Sequence, residues 1–241
     1  MEIDFLLLAD FIGIVGFAFA GILAAMGKKV DPVGVFVLAF TTAFGGGLMR
    51  DLIIDNRPFY WIAHEEYVWM TLGLSIVAPF VMRSLKEKLL HTLFIFSDAL
   101  GLGFFAICGT AMSMKAGIGP LPSAMLGVCT AVFGGMVRDV FLNRMPLVLS
   151  DRQPYASAAF AGCWVYIGLI YSGSDETQTL WFATMLIVVV RMVCWYKDWN
   201  IVSYGRFQKK DGTLHDTEQQ PKKKHPVSDD YWGPDSNRWI D

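Results

Sequence analysis

Apolar residues run along this chain in seven stretches separated by short polar breaks. The stretches are Phe5 to Met26, Pro32 to Ile54, Tyr67 to Met82, Thr92 to Met114, Leu121 to Leu142, Tyr155 to Tyr171 and Thr179 to Tyr196. A helix rises 1.5 Å per residue, so about 20 residues cross the hydrocarbon of a bilayer. Each window is near that length and poor in charge, which predicts seven transmembrane helices. The connecting loops are too short to hold a separate soluble domain. After Asp198 the chain turns polar, mixing Gly, Pro, Lys and Asp without an apolar period, and residues 198–241 read as a disordered tail.

The apolar pattern is also duplicated. Residues Asp10 to Pro58 align with Asp98 to Pro146 without a gap at an offset of 88, and 15 of the 49 positions are identical, so the two stretches read as copies of one unit. Both copies end in the same polar signature, Gly46-Gly47-Leu48-Met49-Arg50-Asp51 and Gly134-Gly135-Met136-Val137-Arg138-Asp139. Pro32, Thr42, Ala43 and Pro58 recur as Pro120, Thr130, Ala131 and Pro146. Three spans per copy place the two copies in opposite orientations across the membrane. The expected fold is therefore an all-α integral membrane protein: one three-helix repeat over residues 5–82, a second, inverted repeat over 92–172, and a seventh helix over 179–197.

Composition agrees with the membrane reading. Hydrophobic residues make up 54% of the chain and charged residues 17%, against about 25% in an ordinary soluble domain. The segment before Met26 begins with the acidic Glu2 and Asp4 where a signal peptide would be basic, so it is expected to remain as a true span. Lys28 and Lys29, then Arg83, Lys86 and Lys88, then Arg144 and Arg152 fill alternate loops, and Lys209, Lys210 and Lys222 to Lys224 fill the tail. The other loops carry only Arg57 and Lys115. Positive charge collects inside, which puts the N-terminus outside and the tail in the cytoplasm of a cell whose inner membrane holds the protein. Trp61, Trp69, Trp181, Trp195 and Trp199 fall near span ends, as interfacial anchors do.

Within the spans the repeated polar residues carry the candidate chemistry. Gly45, Gly46, Gly47, Gly134 and Gly135 weaken a helix by roughly 1 kcal/mol each relative to Ala, and adjacent glycines followed by Arg-Asp predict a break in the second and fifth helices. Close helix packing is the alternative. Asp10 and Arg50 should share one leaflet, and Asp98 and Arg138 the other, giving two mirror-related clusters with Asp51 and Asp139 alongside. An ionisable group in a span costs about 2.5 to 3.5 kcal/mol on insertion scales, so such groups pair or face a water-filled path. Arg50 and Asp51 are neighbours in sequence and point about 100° apart on a helix, which assigns them different partners. Each cluster has two Asp and one Arg, an excess that weakly favours cations; a structural salt bridge is the alternative to a pathway role.

Other chemistries find no support. His64 and His91 sit in loops and His215 and His225 in the tail, away from any nucleophile at helical spacing. Cys108, Cys129, Cys163 and Cys194 each stand alone in an apolar run and read as small core hydrophobes. No cofactor motif is present and nucleic acid is not an expected partner, since Lys222 to Lys224 reads as a solvated or lipid-contacting tail.

At the duplicated Gly-Gly-x-x-Arg-Asp motif the chain resembles the prokaryotic members of the trimeric intracellular cation (TRIC) channel family, also described as a doubled glycine-transporter domain family. The resemblance covers about residues 5 to 196. It implies a homotrimer with a pore in each protomer, lined by the first, second, fourth and fifth spans and selective for monovalent cations, chiefly potassium, with sodium a second candidate. The family's glycine kinks fall on Gly45 to Gly47 and on Gly134-Gly135, where Phe133 replaces the first glycine of the triplet. Membrane lipids are partners by location, and Lys28 and Lys29 are candidates for inner-leaflet lipid contact. A secondary transporter of a small zwitterion such as glycine would use the same elements, and a scaffold without transport would leave the intramembrane Arg and Asp unexplained.

Overall fold

The computed structural model describes residues 5–26, 28, 30–150 and 154–199, all helix and connecting loop. Seven long helices are present among them: α1 (Phe5–Met26), α2 (Pro32–Ile53), α4 (Glu65–Met82), α5 (Glu87–Lys115), α6 (Pro120–Phe141), α8 (Ala156–Tyr171) and α9 (Glu176–Tyr196). Two single turns, α3 (Tyr60–Ala63) and α7 (Leu147–Ser150), follow α2 and α6. Five helices, α1, α2, α5, α6 and α9, are long and apolar enough to cross a membrane, and α8 is a shorter apolar helix. The windows read from sequence match these helices to within a few residues, except that α5 begins five residues before Thr92. Glu87 and Lys88 open that helix with a polar turn that a hydropathy window excludes.

Local chemistry sets the ends. Pro32 and Pro120 occupy the first turns of α2 and α6, where a missing N–H costs nothing, and the Asp31 side chain accepts the Gly34 N–H at 2.8 Å. Asp175 does the same for α9, accepting from Gln178 N at 2.9 Å. The C-termini of α2 and α6 are built alike. Asp55 and Asn143, equivalent at offset 88, both take the left-handed conformation with φ of 52°. The next amide then turns back onto the helix, Asn56 N to Asp51 O and Arg144 N to Asp139 O, each at 2.9 Å. Asp and Asn tolerate this conformation because their short polar side chains offset part of the steric cost.

Four helices form a closed ring: α1 packs on α2, α2 on α6, α6 on α5 and α5 on α1. Exchanging α1 with α5, α2 with α6 and α4 with α8 leaves the pattern of neighbours unchanged, and equivalent residues meet where the copies face each other. Phe17 and Phe105 stack edge to face at 5.2 Å. α9 stands outside the pattern, packed on α5 and α8.

The glycines do not break their helices. α2 and α6 run as continuous α-helix through residues 43–50 and 131–138, correcting the expected interruption in the second and fifth spans. A Cβ on Gly46 would collide with Thr130 O, and one on Gly134 would collide with Thr42 O. The glycine hydrogen standing in place of each Cβ points at that oxygen, a Cα–H···O contact of the kind found where helices cross closely. The loss of helix propensity is therefore balanced by backbone approach and not released as a kink.

This arrangement predicts an unequal response to substitution along the triplet. Gly46→Ala or Gly134→Ala should destabilise the fold by about 1–3 kcal/mol through overpacking at the crossing. Gly47→Ala, whose Cβ would lie 3.8 Å from the nearest side chain, should fall within about 0.5 kcal/mol of the parent. Thermal unfolding in mild detergent measures the difference; equal effects at positions 46 and 47 would remove the crossing argument.

Candidate functional site in the helix ring

Most buried residues along α2 follow one helical stripe, Val35, Leu38, Ala39, Thr42, Ala43, Gly46 and Arg50. Arg50 lies one turn beyond Gly46 on the face turned toward the partner helices. α6 repeats this with Ala124, Gly127, Thr130, Ala131, Gly134 and Arg138. Both guanidinium groups are thus carried into the protein, and both are buried.

In the first cluster Arg50 Nη1 lies 3.5 Å from Asp10 Oδ1 of α1, and Arg50 Nε donates to Asp51 Oδ1 at 3.0 Å. In the second, Arg138 Nη1 donates to Asp98 Oδ1 of α5 at 3.0 Å and Arg138 Nε to Asp139 Oδ1 at 2.9 Å. The neighbours Arg50 and Asp51 therefore pair with each other, contrary to the reading from their angular separation. The long arginine stem folds back along the helix and brings Nε to the adjacent carboxylate. Each second aspartate has a further task. Asp51 Oδ2 accepts Tyr60 N at the start of α3, and Asp139 Oδ2 accepts Leu147 N at the start of α7, both at 3.0 Å. One carboxylate thereby fixes its arginine and the return turn at the end of each broad helix.

The remaining predicted positions are placed as follows. Gly45 faces Gly134, whose Cα would lie 3.5 Å from an added Cβ, and Gly47 and Gly135 lie beside Arg50 and Arg138. Lys28 is exposed, and Lys29 and most of the tail lie outside the described residues.

Beside the first cluster a small cavity is lined by Asp10, Arg50, Gly47, Tyr60, Trp61 and Phe44, among others. The second cluster is closed differently. The Tyr155 hydroxyl donates to Asp98 Oδ2 at 2.9 Å, and the Phe94 ring lies under Arg138, 5.0 Å from ring centre to guanidinium carbon. The sequence reading missed Tyr60, Tyr155 and Arg191. Tyr155 carries a signal that was available: the offset of 88 continues past Pro58 and pairs it with Tyr67. Arg191, buried in the run Val190-Arg191-Met192, is an ionisable group inside a span and stands out on that ground alone.

An all-α membrane protein whose duplicated helices bring two buried Arg–Asp clusters to the ends of one four-helix ring has the layout of a transport protein. The family model described as "Glycine transporter" matches the chain twice, over residues 7–83 and 95–171. The Escherichia coli inner membrane protein YadS is 34% identical over 187 residues, 76% of this chain and 86% of YadS. The Bacillus subtilis membrane protein YvgT is 33% identical over 195 residues, 80% of this chain and 94% of YvgT. Among solved structures, the trimeric intracellular cation channel orthologue from Rhodobacter sphaeroides superposes with a TM-score of 0.74 at 29% identity, covering 78% of this chain and 96% of that one. A prokaryotic TRIC channel crystallised in 0.5 M KCl gives 0.76 at 26% identity, covering 81% and 98%. The chain belongs to the TRIC channel family, whose doubled domain is the one described as a glycine transporter.

The two clusters should differ in what they contribute to stability. Arg138→Ala strands Asp98 and Asp139 in the interior and should cost about 3–5 kcal/mol. Arg50→Ala should cost less, because the Arg50–Asp10 contact is longer by half an ångström. Unfolding temperatures of the two variants in the same detergent test the order.

Proposed function

We propose that this chain is a monovalent cation channel, chiefly for potassium, with a pathway inside each protomer of a homotrimer. The pathway runs through the ring of α1, α2, α5 and α6. The observation that carries this reading is the pair of Arg–Asp clusters related by the repeat, each holding two carboxylates against one guanidinium at one end of the ring. Likeness over four-fifths of the chain to proteins named as cation channels supports the same reading.

Inverted repeats of residues 5–82 and 92–172 put one cluster near each membrane face, with the seventh helix and the tail from residue 198 outside the symmetry. Loop charge supports an outer N-terminus and an inner tail in an inner membrane, with Lys28 near inner-leaflet lipid. The trimer rests on the family. Carboxylates at the mouths raise the local concentration of cations, and a narrow, partly apolar ring then sets passage. Asp10, Arg50 and Asp51 act at one mouth and Asp98, Arg138 and Asp139 at the other.

A transporter of a small zwitterion such as glycine is the second reading. One observation favours it: the two clusters are arranged unequally, as in a carrier open to one side. Purified protein in a planar bilayer under a potassium gradient separates the two. Unitary currents are the expected result, whereas electrical silence with saturable glycine uptake would replace the channel with the carrier. Arg50→Ala should lower potassium flux per folded protein severalfold; unchanged flux with lowered stability would reduce Arg50 to a structural ion pair.

A further inference from the structure

We propose that Arg191 of α9 is a latch: it holds Tyr155 over the Asp98–Arg138 pair and closes that end of the ring, while the other end has no equivalent arginine among the described residues. The functional meaning of the latch rests on the pathway reading above, but its geometry does not.

The two ends are built from equivalent residues that stand differently. Tyr67 and Tyr155 correspond at offset 88, as do Asp10 with Asp98 and Arg50 with Arg138. Tyr155 is buried and donates its hydroxyl to Asp98. Tyr67 is half-buried and turned to a different set of neighbours, its ring stacked on Tyr60 at 5.9 Å, on His64 at 5.5 Å and against Phe11 at 5.4 Å. With Tyr155 in place, both oxygens of Asp98 are engaged, Oδ1 by Arg138 and Oδ2 by the tyrosine. The Asp10 carboxylate instead borders the cavity.

Something outside the repeat must break the symmetry, and α9 is the long helix outside it. Its buried stripe of Ala183, Thr184, Ile187, Val188, Arg191 and Cys194 faces α5 and α8. Arg191 holds two consecutive residues of the segment leading into α8. Its guanidinium carbon lies 4.5 Å from the centre of the Tyr155 ring, and its Nη1 donates to Pro154 O at 3.2 Å. A cation over an aromatic face gains most where water is excluded, as it is here. The ring is thus gripped from its face and from the preceding carbonyl, with its hydroxyl left to reach Asp98. Arg191 is a positioning residue acting through Tyr155, and a shift of α9 relative to α8 would release both contacts together.

Gly135 supplies a probe that does not depend on ion conduction. A Cβ added there would lie 3.6 Å from both Tyr155 Oη and Arg138 Nη2, an ordinary contact, so Gly135→Cys sets its side chain beside the tyrosine hydroxyl. The test uses the full chain in lipid vesicles with Cys108, Cys129, Cys163 and Cys194 replaced by Ala, and reads the rate of labelling by a cationic methanethiosulfonate. Labelling of Gly135→Cys should be slow. Adding Arg191→Gln or Tyr155→Phe should speed it at least about tenfold, and the two together should give no more than either alone, since both remove one latch. Arg191→Lys, which keeps the charge and loses the flat stacking face, should also be fast.

Fast labelling with Arg191 intact, an unchanged rate in Arg191→Gln, or multiplied rates in the double variant would overturn the latch. Should Arg191→Gln fail to fold by its thermal melt, Arg191→Lys and Tyr155→Phe decide by the same criterion. Potassium flux in the same vesicles separates the two ideas. Faster labelling without flux in any variant retains the latch and removes the channel, whereas flux with an unchanged labelling rate does the reverse.

Discussion

The crossing of α2 and α6 at Gly46 and Gly134 is the contact on which the rest of the structure depends. Helices in lipid gain little from hydrophobic burial against one another, so their association rests on close packing and on the polar contacts that closeness permits. Here each glycine admits a carbonyl oxygen of the other helix, Thr130 O at Gly46 and Thr42 O at Gly134. The threonines keep their own hydroxyls on their own helices, bonded to Leu38 O and Leu126 O, so they add no bulk at the seam. Because the crossing pairs equivalent positions, it also places the symmetry axis of the ring.

From that crossing the position of the charges follows. Arg50 and Arg138 stand four residues beyond the two glycines, so the helix that presents the glycine to its partner presents the arginine on the same side. A buried guanidinium is tolerable only when its donors are used, and each arginine meets one carboxylate from its own helix and one from the first helix of its own repeat, α1 or α5. The carboxylates on α2 and α6 then fix the turns that follow, through Tyr60 N and Leu147 N. Packing, ion pairing and chain reversal at each end are one connected construction.

Symmetry of the backbone does not extend to every side chain. The ring accepts an exchange of the two copies, but α9 packs on one copy, and through Arg191 it engages Tyr155. A duplicated protein gains an inequality between its two ends in this way without altering the repeated motif itself. Such inequality is what a transport protein needs if its ends are to open at different times.

Sequence by itself determined the spans, the duplication and the residues that would be buried in spite of their charge, because apolar periodicity and an 88-residue offset are local or directly countable properties. Asp10, Arg50, Asp51, Asp98, Arg138 and Asp139 were all legible for that reason. What the glycines do was not. A Gly-Gly pair lowers helix stability whether it breaks the helix or admits another one, and only the position of Thr130 and Thr42 on the facing helix decides between them. The pairing of Arg50 with Asp51 escaped for a related reason, since angular position on a helix describes where a side chain starts and not where a long flexible stem ends. Tyr155 and Arg191 come together from 36 positions apart in the chain, and their contact exists only because α9 folds back on α8, a choice that tertiary packing makes and no pattern along the chain records.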